Sequence, residues 1–279
     1  MSMCASSSGG REAAPTDAGP VGAARVDATY RPRHPLDFWL TVGGIRRGRN
    51  DPCHVHDGRN FWRASRTPHG VATLALGARG DGSVNASAWG PGAEWAISQV
   101  PALLGAHDDP EQFEAHHHPL VADAHHRNPG LRLARTDLVF DALVSSIIEQ
   151  KVTGLQAFGA WRTLVRQFGT AAPGPTPRPM FAPPTVEGWR DIPSWAWHRA
   201  GLEPPQSRTI VACARVGQRV ADATLAAADG PARDRVLMSM RGVGVWTAAE
   251  TRIRAPGDSD AVSFADFHLP HQVGHAPPG

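Results

Sequence analysis

The sequence predicts an α+β protein in which a small antiparallel sheet precedes a mostly helical part. Three observations carry that reading. Residues 30 to about 105 hold short alternating segments punctuated by turn residues, as half-buried strands do. From residue 111 onward apolar side chains recur at helical spacing. A proline-rich stretch at 170–184, TAAPGPTPRPMFAPP, breaks the helical part with a segment that cannot itself be a helix. The expected division is a tail over 1–29, a mixed α/β domain over 30–110 and a helical part over 111–279.

Taken in order, the first residues are small and polar and lack a hydrophobic signal core, which predicts a disordered tail over 1–29. FWRASRTP (61–68) and VATLALGARGDGSVNASAWG (71–90) read as strands, with RGDGS as the turn of an antiparallel hairpin. GAEWAISQVPALLG (92–105) reads as a short helix. TDLVFDALVSSIIEQ (136–150) spaces Leu138, Val139, Leu143, Val144, Ile147 and Ile148 for a helix that Thr136 or Asp137 can cap. GLQAFGAWRTLVRQFG (154–169) places Phe158, Trp161, Leu164, Val165 and Phe168 on one face, with Gly169 as a stop. PSWAWHRAGL (193–202), PQSRTIVACARVGQRVAD (205–222) and ARDRVLMSM (232–240) are three more helical segments.

Composition sets limits. A length of 279 residues is more than one average domain and fewer than three, and 41% hydrophobic residues suffice for a core. The formal net charge is only +2 and Lys151 is the single lysine, so global charge does not mark a nucleic-acid binder. Cys4, Cys53 and Cys213 are far apart and form no CxxC pair, which argues against a zinc ribbon or iron–sulfur centre and suits a reducing compartment. No apolar run approaches the ~18 residues a membrane crossing needs, so a cytoplasmic protein is expected. The histidines at 116–118 and at 125–126 invite a metal, but no carboxylate follows at a ligand spacing such as HExxH, and a solvated loop is the simpler reading.

The chemistry concentrates near the end of the chain. RGVGVWTAAE (241–250) puts Gly242 and Gly244 at a helix-to-helix turn. Glycine reaches positive φ at no steric cost and lets another backbone come close. The helix starting near Val245 or Trp246 presents free N–H groups and a positive dipole end, a natural seat for a phosphate. About twenty residues later, DAVSFADFHLP (260–270) sets Asp266 between apolar neighbours, two residues before His268. A helix, a GVG turn, a helix and an apolar loop with D-x-H resembles the helix-hairpin-helix DNA glycosylase superfamily, whose hairpin reads L-P-G-[VI]-G-x-x-T-A. SSIIEQKVT (145–153) is similar to that family's helix ending in a glutamine-containing turn. The mixed domain ahead of it is similar to the 3-methyladenine DNA glycosylase II branch, whose extra domain is TATA-binding-protein-like.

The resemblance implies base excision from damaged double-stranded DNA, with no cofactor, metal, membrane or obligate protein partner, in the cytoplasm and on the nucleoid. Asp266 matches the catalytic aspartate, which stabilises positive charge developing on the sugar and orients water; a helix N-cap is the plain alternative. Gly242, Val243, Gly244 and Thr247 match the DNA-gripping hairpin. Trp246 stands where strand-nicking relatives carry a Schiff-base lysine, which implies a monofunctional enzyme. Its indole either stacks on an electron-poor alkylated base or holds the hairpin core. His268 is a supporting residue of the loop. Gln150 or Lys151 matches the residue that fills the gap left by the flipped base, unless the pair simply ends a helix. Arg241, Arg252 and Arg254 flank the hairpin as phosphate ligands or solvated surface. SWAWH (194–198) belongs to the core or the lesion pocket. Two departures stand out: Glu250 occupies a position where some relatives have an aromatic, and the chain stops after HLPHQVGHAPPG where the family continues with further helices. Truncation is therefore expected, and with it a rival reading as an inactive helix-hairpin-helix DNA-binding protein; a metal hydrolase built on the histidine-rich loop is a third.

Overall fold

The computed structural model describes residues 24–275. A five-stranded antiparallel sheet has the order β1-β5-β4-β3-β2, formed by β1 (Arg25–Tyr30), β2 (His54–His56), β3 (Phe61–Thr67), β4 (Gly70–Ala78) and β5 (Val84–Trp89). Helix α1 (Phe38–Gly43) lies between β1 and β2 in sequence, and α2 (Ala93–Ser98) and α3 (Val100–Leu103) follow β5. The apolar face of Phe61, Leu74, Leu76, Ala86 and Ala88 packs against Phe38, Val42, Ala93, Ala96 and Val100 of these helices. The opposite face buries Trp62, Ala64, Ala75 and Trp89 beneath Met180 and Ala182. With both faces covered, the central strand β4 reads as an apolar run rather than an alternation.

Two expectations change here. Residues 25–29, assigned to the polar tail by composition, belong to β1, paired with β5 from Arg25↔Trp89 to Tyr30↔Val84. Most of that tail, with Cys4, lies outside the described residues. The helix expected over 92–105 is two short ones meeting at Gln99.

After α4 (Pro119–Arg127) the chain enters the helical part: α5 (Val139–Ile148), α6 (Gly154–Phe168), the small strand pair β6 (Thr170–Ala171) and β7 (Phe181–Ala182), and α7 (Val186–Arg190). Then come α8 (Ser194–Arg199), α9 (Pro204–Ala214), α10 (Gly217–Ala226), α11 (Gly230–Met238), α12 (Val245–Arg254) and α13 (Leu269–His275). Nine of the ten residues of α5 are buried, among them Leu143, Val144 and Ile147 at 0% exposure, so α5 is the axis around which the others pack. Neither Thr136 nor Asp137 caps it through its side chain; the N-cap is Leu138, and Asp137 takes a φ of 54° at the entry. The segment expected as one helix over 205–222 is two, α9 and α10, parted at Arg215–Val216. Gly217 there sits so close to Phe140 that a Cβ would come within 2.9 Å of the ring. No helix among the described residues is long and apolar enough to cross a membrane.

Where the sheet meets α5, Arg47, Cys53, His54, Arg63, Asp141 and Trp161 line a cavity of about 30 Å³, room for a water or two. His54 Nδ1 lies 2.8 Å from Asp51 Oδ2, while its buried Nε2 has no partner among the described residues. Burial pushes the Asp141 carboxyl up to about 6, against the pull of Arg47, Arg63 and Arg66. Its folded pKa thus exceeds the unfolded value of 3.8, so the stability tied to its proton is complete below pH 3.8 and lost as pH rises through 6. Asp141→Asn is expected to stabilise the fold by about 1–3 kcal/mol at pH 7.5 and to change little near pH ~3. Thermal melts at the two pH values check this; a loss of stability at pH 7.5 would mean that the carboxylate is a net stabilising partner of the arginines.

Candidate active site

Helices α11 and α12 form the hairpin, and its two glycines do different work. Gly242 has a φ of +91°, and a Cβ there would meet Thr209 Oγ1 at 2.3 Å, so both backbone geometry and α9 demand glycine. Gly244 is the N-cap of α12 at φ −101°, ψ −177°, an extended conformation open to any residue, and a Cβ would meet nothing within 4 Å. The expectation that both glycines need positive φ is corrected accordingly. Val243 is buried under the turn, with its N–H bonded to Met240 O at 3.0 Å. Among the described residues no side chain caps the start of this ten-residue helix, α12, and Val245 in its first turn is exposed.

The end of α5 is tied to this turn. Gln150 Nε2 donates to Gly242 O at 2.9 Å and to Thr247 Oγ1 at 2.8 Å. Its own carbonyl and that of Ile148 accept from Gln206 Nε2 of α9, a buried amide that sequence reading overlooked. Gln150 is therefore a strut of the hairpin, not a free side chain. Lys151 is exposed at a φ of 56°, and Leu155, the second residue of α6, is 86% exposed.

Asp266 is brought against the hairpin from the other side. Its Oδ1 accepts from the N–H groups of His268 and Leu269, both at 2.8 Å, and so caps the start of α13. Its Oδ2 accepts from Trp246 Nε1 at 3.1 Å. One carboxylate oxygen thus serves the turn into α13 and the other faces the hairpin. Asp266 is half-buried rather than enclosed by its apolar neighbours, because Phe264 and Phe267 point outward at 66% and 78% exposure. The bond from Leu269 N–H, that from His268 N–H and the Trp246 indole hold its carboxyl below the usual aspartate range despite partial burial. His268 is exposed and contributes through its backbone.

Other candidates separate. Arg252 is buried and bound to Asp234 at 2.7 Å and Asp258 at 2.8 Å, so it locks the hairpin instead of facing a ligand. Arg254 is engaged by Glu149 and Glu250. Arg241 alone of the three is exposed. In the SWAWH segment, Trp197 is core, stacked on Trp189 at 6.0 Å, while Trp195 is exposed. Among the described residues no group of three or more His, Cys, Asp or Glu is placed to hold a metal.

No family model and no curated protein matches the sequence. Solved structures do match. A 3-methyladenine DNA glycosylase from Archaeoglobus fulgidus superposes with a TM-score of 0.75 at 16% identity, over 90% of this chain and 86% of that one. An 8-oxoguanine glycosylase/lyase from Clostridium acetobutylicum, in complex with double-stranded DNA, gives 0.67 at 13% identity, over 88% and 81%. The chain has the fold of the helix-hairpin-helix DNA glycosylases. Within that fold the hairpin turn is the constrained element. Gly242→Ala should lower stability by about 1 kcal/mol or more, through strained φ and the clash with Thr209, whereas Gly244→Ala should leave it nearly unchanged. Paired denaturant titrations check the contrast; equal effects would mean that Thr209 and the backbone relax freely.

Proposed function

We propose that the protein is a monofunctional DNA glycosylase that removes alkylated, 3-methyladenine-type bases from duplex DNA. The observation that carries the proposal is the contact between Trp246, on the first turn of the hairpin's second helix, and Asp266. It sets an ionised carboxylate beside the helix terminus best suited to hold a phosphate. The first N–H groups of α12 grip the DNA backbone without reading sequence. Lys151 and Leu155, exposed where α5 gives way to α6, face the duplex at the gap left by a flipped base.

The geometry favours one division of labour. A carboxylate that already accepts three hydrogen bonds, with its pKa held low, is a poor proton acceptor. It is well suited to stay charged and stabilise the positive charge that grows on the sugar as the bond to the base breaks. The base leaves with the electron pair of that bond, and water then adds at the sugar carbon and gives up a proton to solvent. A methylated purine carries positive charge already, leaves readily, and is attracted to an aromatic face such as Trp246. The solved neighbours include enzymes for both 3-methyladenine and 8-oxoguanine; the alkylation reading rests on the aromatic face of Trp246, and the monofunctional one on the absence of a lysine at that position.

Asp266→Asn preserves an N-cap, so the fold should persist. Base release from alkylated DNA should fall by at least ~10²-fold, the scale for removing a charge stabiliser. Asp260→Asn, an exposed neighbour, is the control and should retain the parent rate. Release by Asp266→Asn at the parent rate would reassign the site. With tryptophan at the Schiff-base position, borohydride should trap no covalent complex with DNA. Efficient trapping would replace the monofunctional reading with a lyase that uses another amine, Lys151 or the N-terminus.

A further inference from the structure

We infer that Glu250 is the positioning residue of this site: through Ser263 it holds the strained turn that presents Asp266. The inference rests on the reading of Asp266 proposed above. Trp246, Glu250 and Arg254 are spaced four apart on α12 and share one face. Each is half-buried, while Thr247, Ala248, Ala249, Thr251 and Arg252 between them are buried. The Trp246 indole binds Asp266, and one Glu250 oxygen accepts from Ser263 Oγ. The other Glu250 oxygen accepts from Arg254, whose second nitrogen reaches Glu149 at 3.3 Å. With side-chain exposures of 15% for both glutamates and 24% for Arg254, these charges are shielded from the salt that weakens surface pairs.

Ser263 and Asp266 are the two ends of one turn, closed by the Asp266 N–H to Ser263 O at 3.1 Å. Its third residue, Ala265, has a φ of +64°. That is the left-handed region, which a residue with a Cβ enters at a free-energy cost and keeps only where its surroundings enforce it. Two anchors enforce it here, Glu250 on Ser263 at one end and Trp246 on Asp266 at the other. Strain is therefore held one residue before the carboxylate that the reaction needs in place. Removing the Glu250 acceptor frees Ser263, lets Ala265 relax and withdraws Asp266 from the indole. Glu250 itself touches no substrate; Arg254 and Glu149 fix its orientation.

The test uses Glu250→Gln, Glu250→Ala, Ser263→Ala and the Glu250→Ala/Ser263→Ala pair in the full chain. Melting temperature, kcat and KM for base release, and the indole N–H resonance of Trp246 (assigned with Trp246→Phe) are measured. Glu250→Ala and Ser263→Ala should each lower kcat by ~10-fold or more, as expected for a misplaced group, with KM nearly unchanged and the indole resonance shifted. The double variant should be no worse than either single one, since both break the same contact. Glu250→Gln keeps an acceptor for Ser263 and should stay near the parent in rate and resonance. A folded Glu250→Ala with an unmoved resonance overturns the inference, as does Glu250→Gln losing as much as Glu250→Ala while its resonance stays in place. If the parent chain releases no base, the catalytic reading of Asp266 falls, and the resonance still decides whether Glu250 positions the turn.

Discussion

The structure depends on how α5 is fastened to α12. The two helices run antiparallel and are joined at both ends. At one end Thr136 Oγ1 donates to Arg254 O at 2.8 Å, and the N–H groups of Thr136 and Asp137 both reach Ala255 O. At the other end the Gln150 amide bridges Gly242 O and Thr247 Oγ1. Both helices contribute fully buried side chains to one core, among them Leu143, Val144, Ile147, Ala248 and Ala255. Burying each such side chain is worth ~1.5–3 kcal/mol for the larger ones, so the pair is held by packing and registered by its polar ends. The hairpin turn inherits its position from this clamp, because Gln150 reads the Gly242 carbonyl directly.

From that fixed frame the candidate site is assembled by lighter means. Asp266 is not part of the core. It is placed by a loop that touches α12 at Ser263 and at the carboxylate itself, with an alanine in a left-handed conformation between. A rigid helix face therefore aims a loop. The charged side chains near the hairpin divide in the same way. Arg252 and Arg254 serve the protein's own acids, whereas the start of α12 carries no side-chain cap among the described residues.

Much of this was legible in the sequence. The RGDGS turn (79–83) between two strand-like segments gave β4 and β5, and the apolar spacing of 138–148 gave α5. The GVG turn and the D-x-H loop pointed at Trp246 and Asp266 together. What was hidden depends on long-range pairing. β1 is a short half-exposed strand whose partner β5 lies some sixty residues away, so no local pattern marks it off from a polar tail. Gln206 looks like any polar residue near a helix start until α9 is laid against the end of α5. Gly217 was the available signal that 205–222 is two helices. The two hairpin glycines are identical letters with different backbones, and only Thr209, brought in by α9, tells them apart. The Trp246 indole could be read as core or as a stacking face; its bond to Asp266 is visible only in three dimensions.

The central claim is that the hairpin and Asp266 together form a site that releases damaged bases. The most direct measurement incubates the protein with duplex DNA methylated by dimethyl sulfate and separates the released material by chromatography. The account predicts free methylated purines, formed catalytically, with the DNA strand left unbroken at the resulting abasic sites. Tight binding to the same DNA with no free base above the spontaneous background would contradict it.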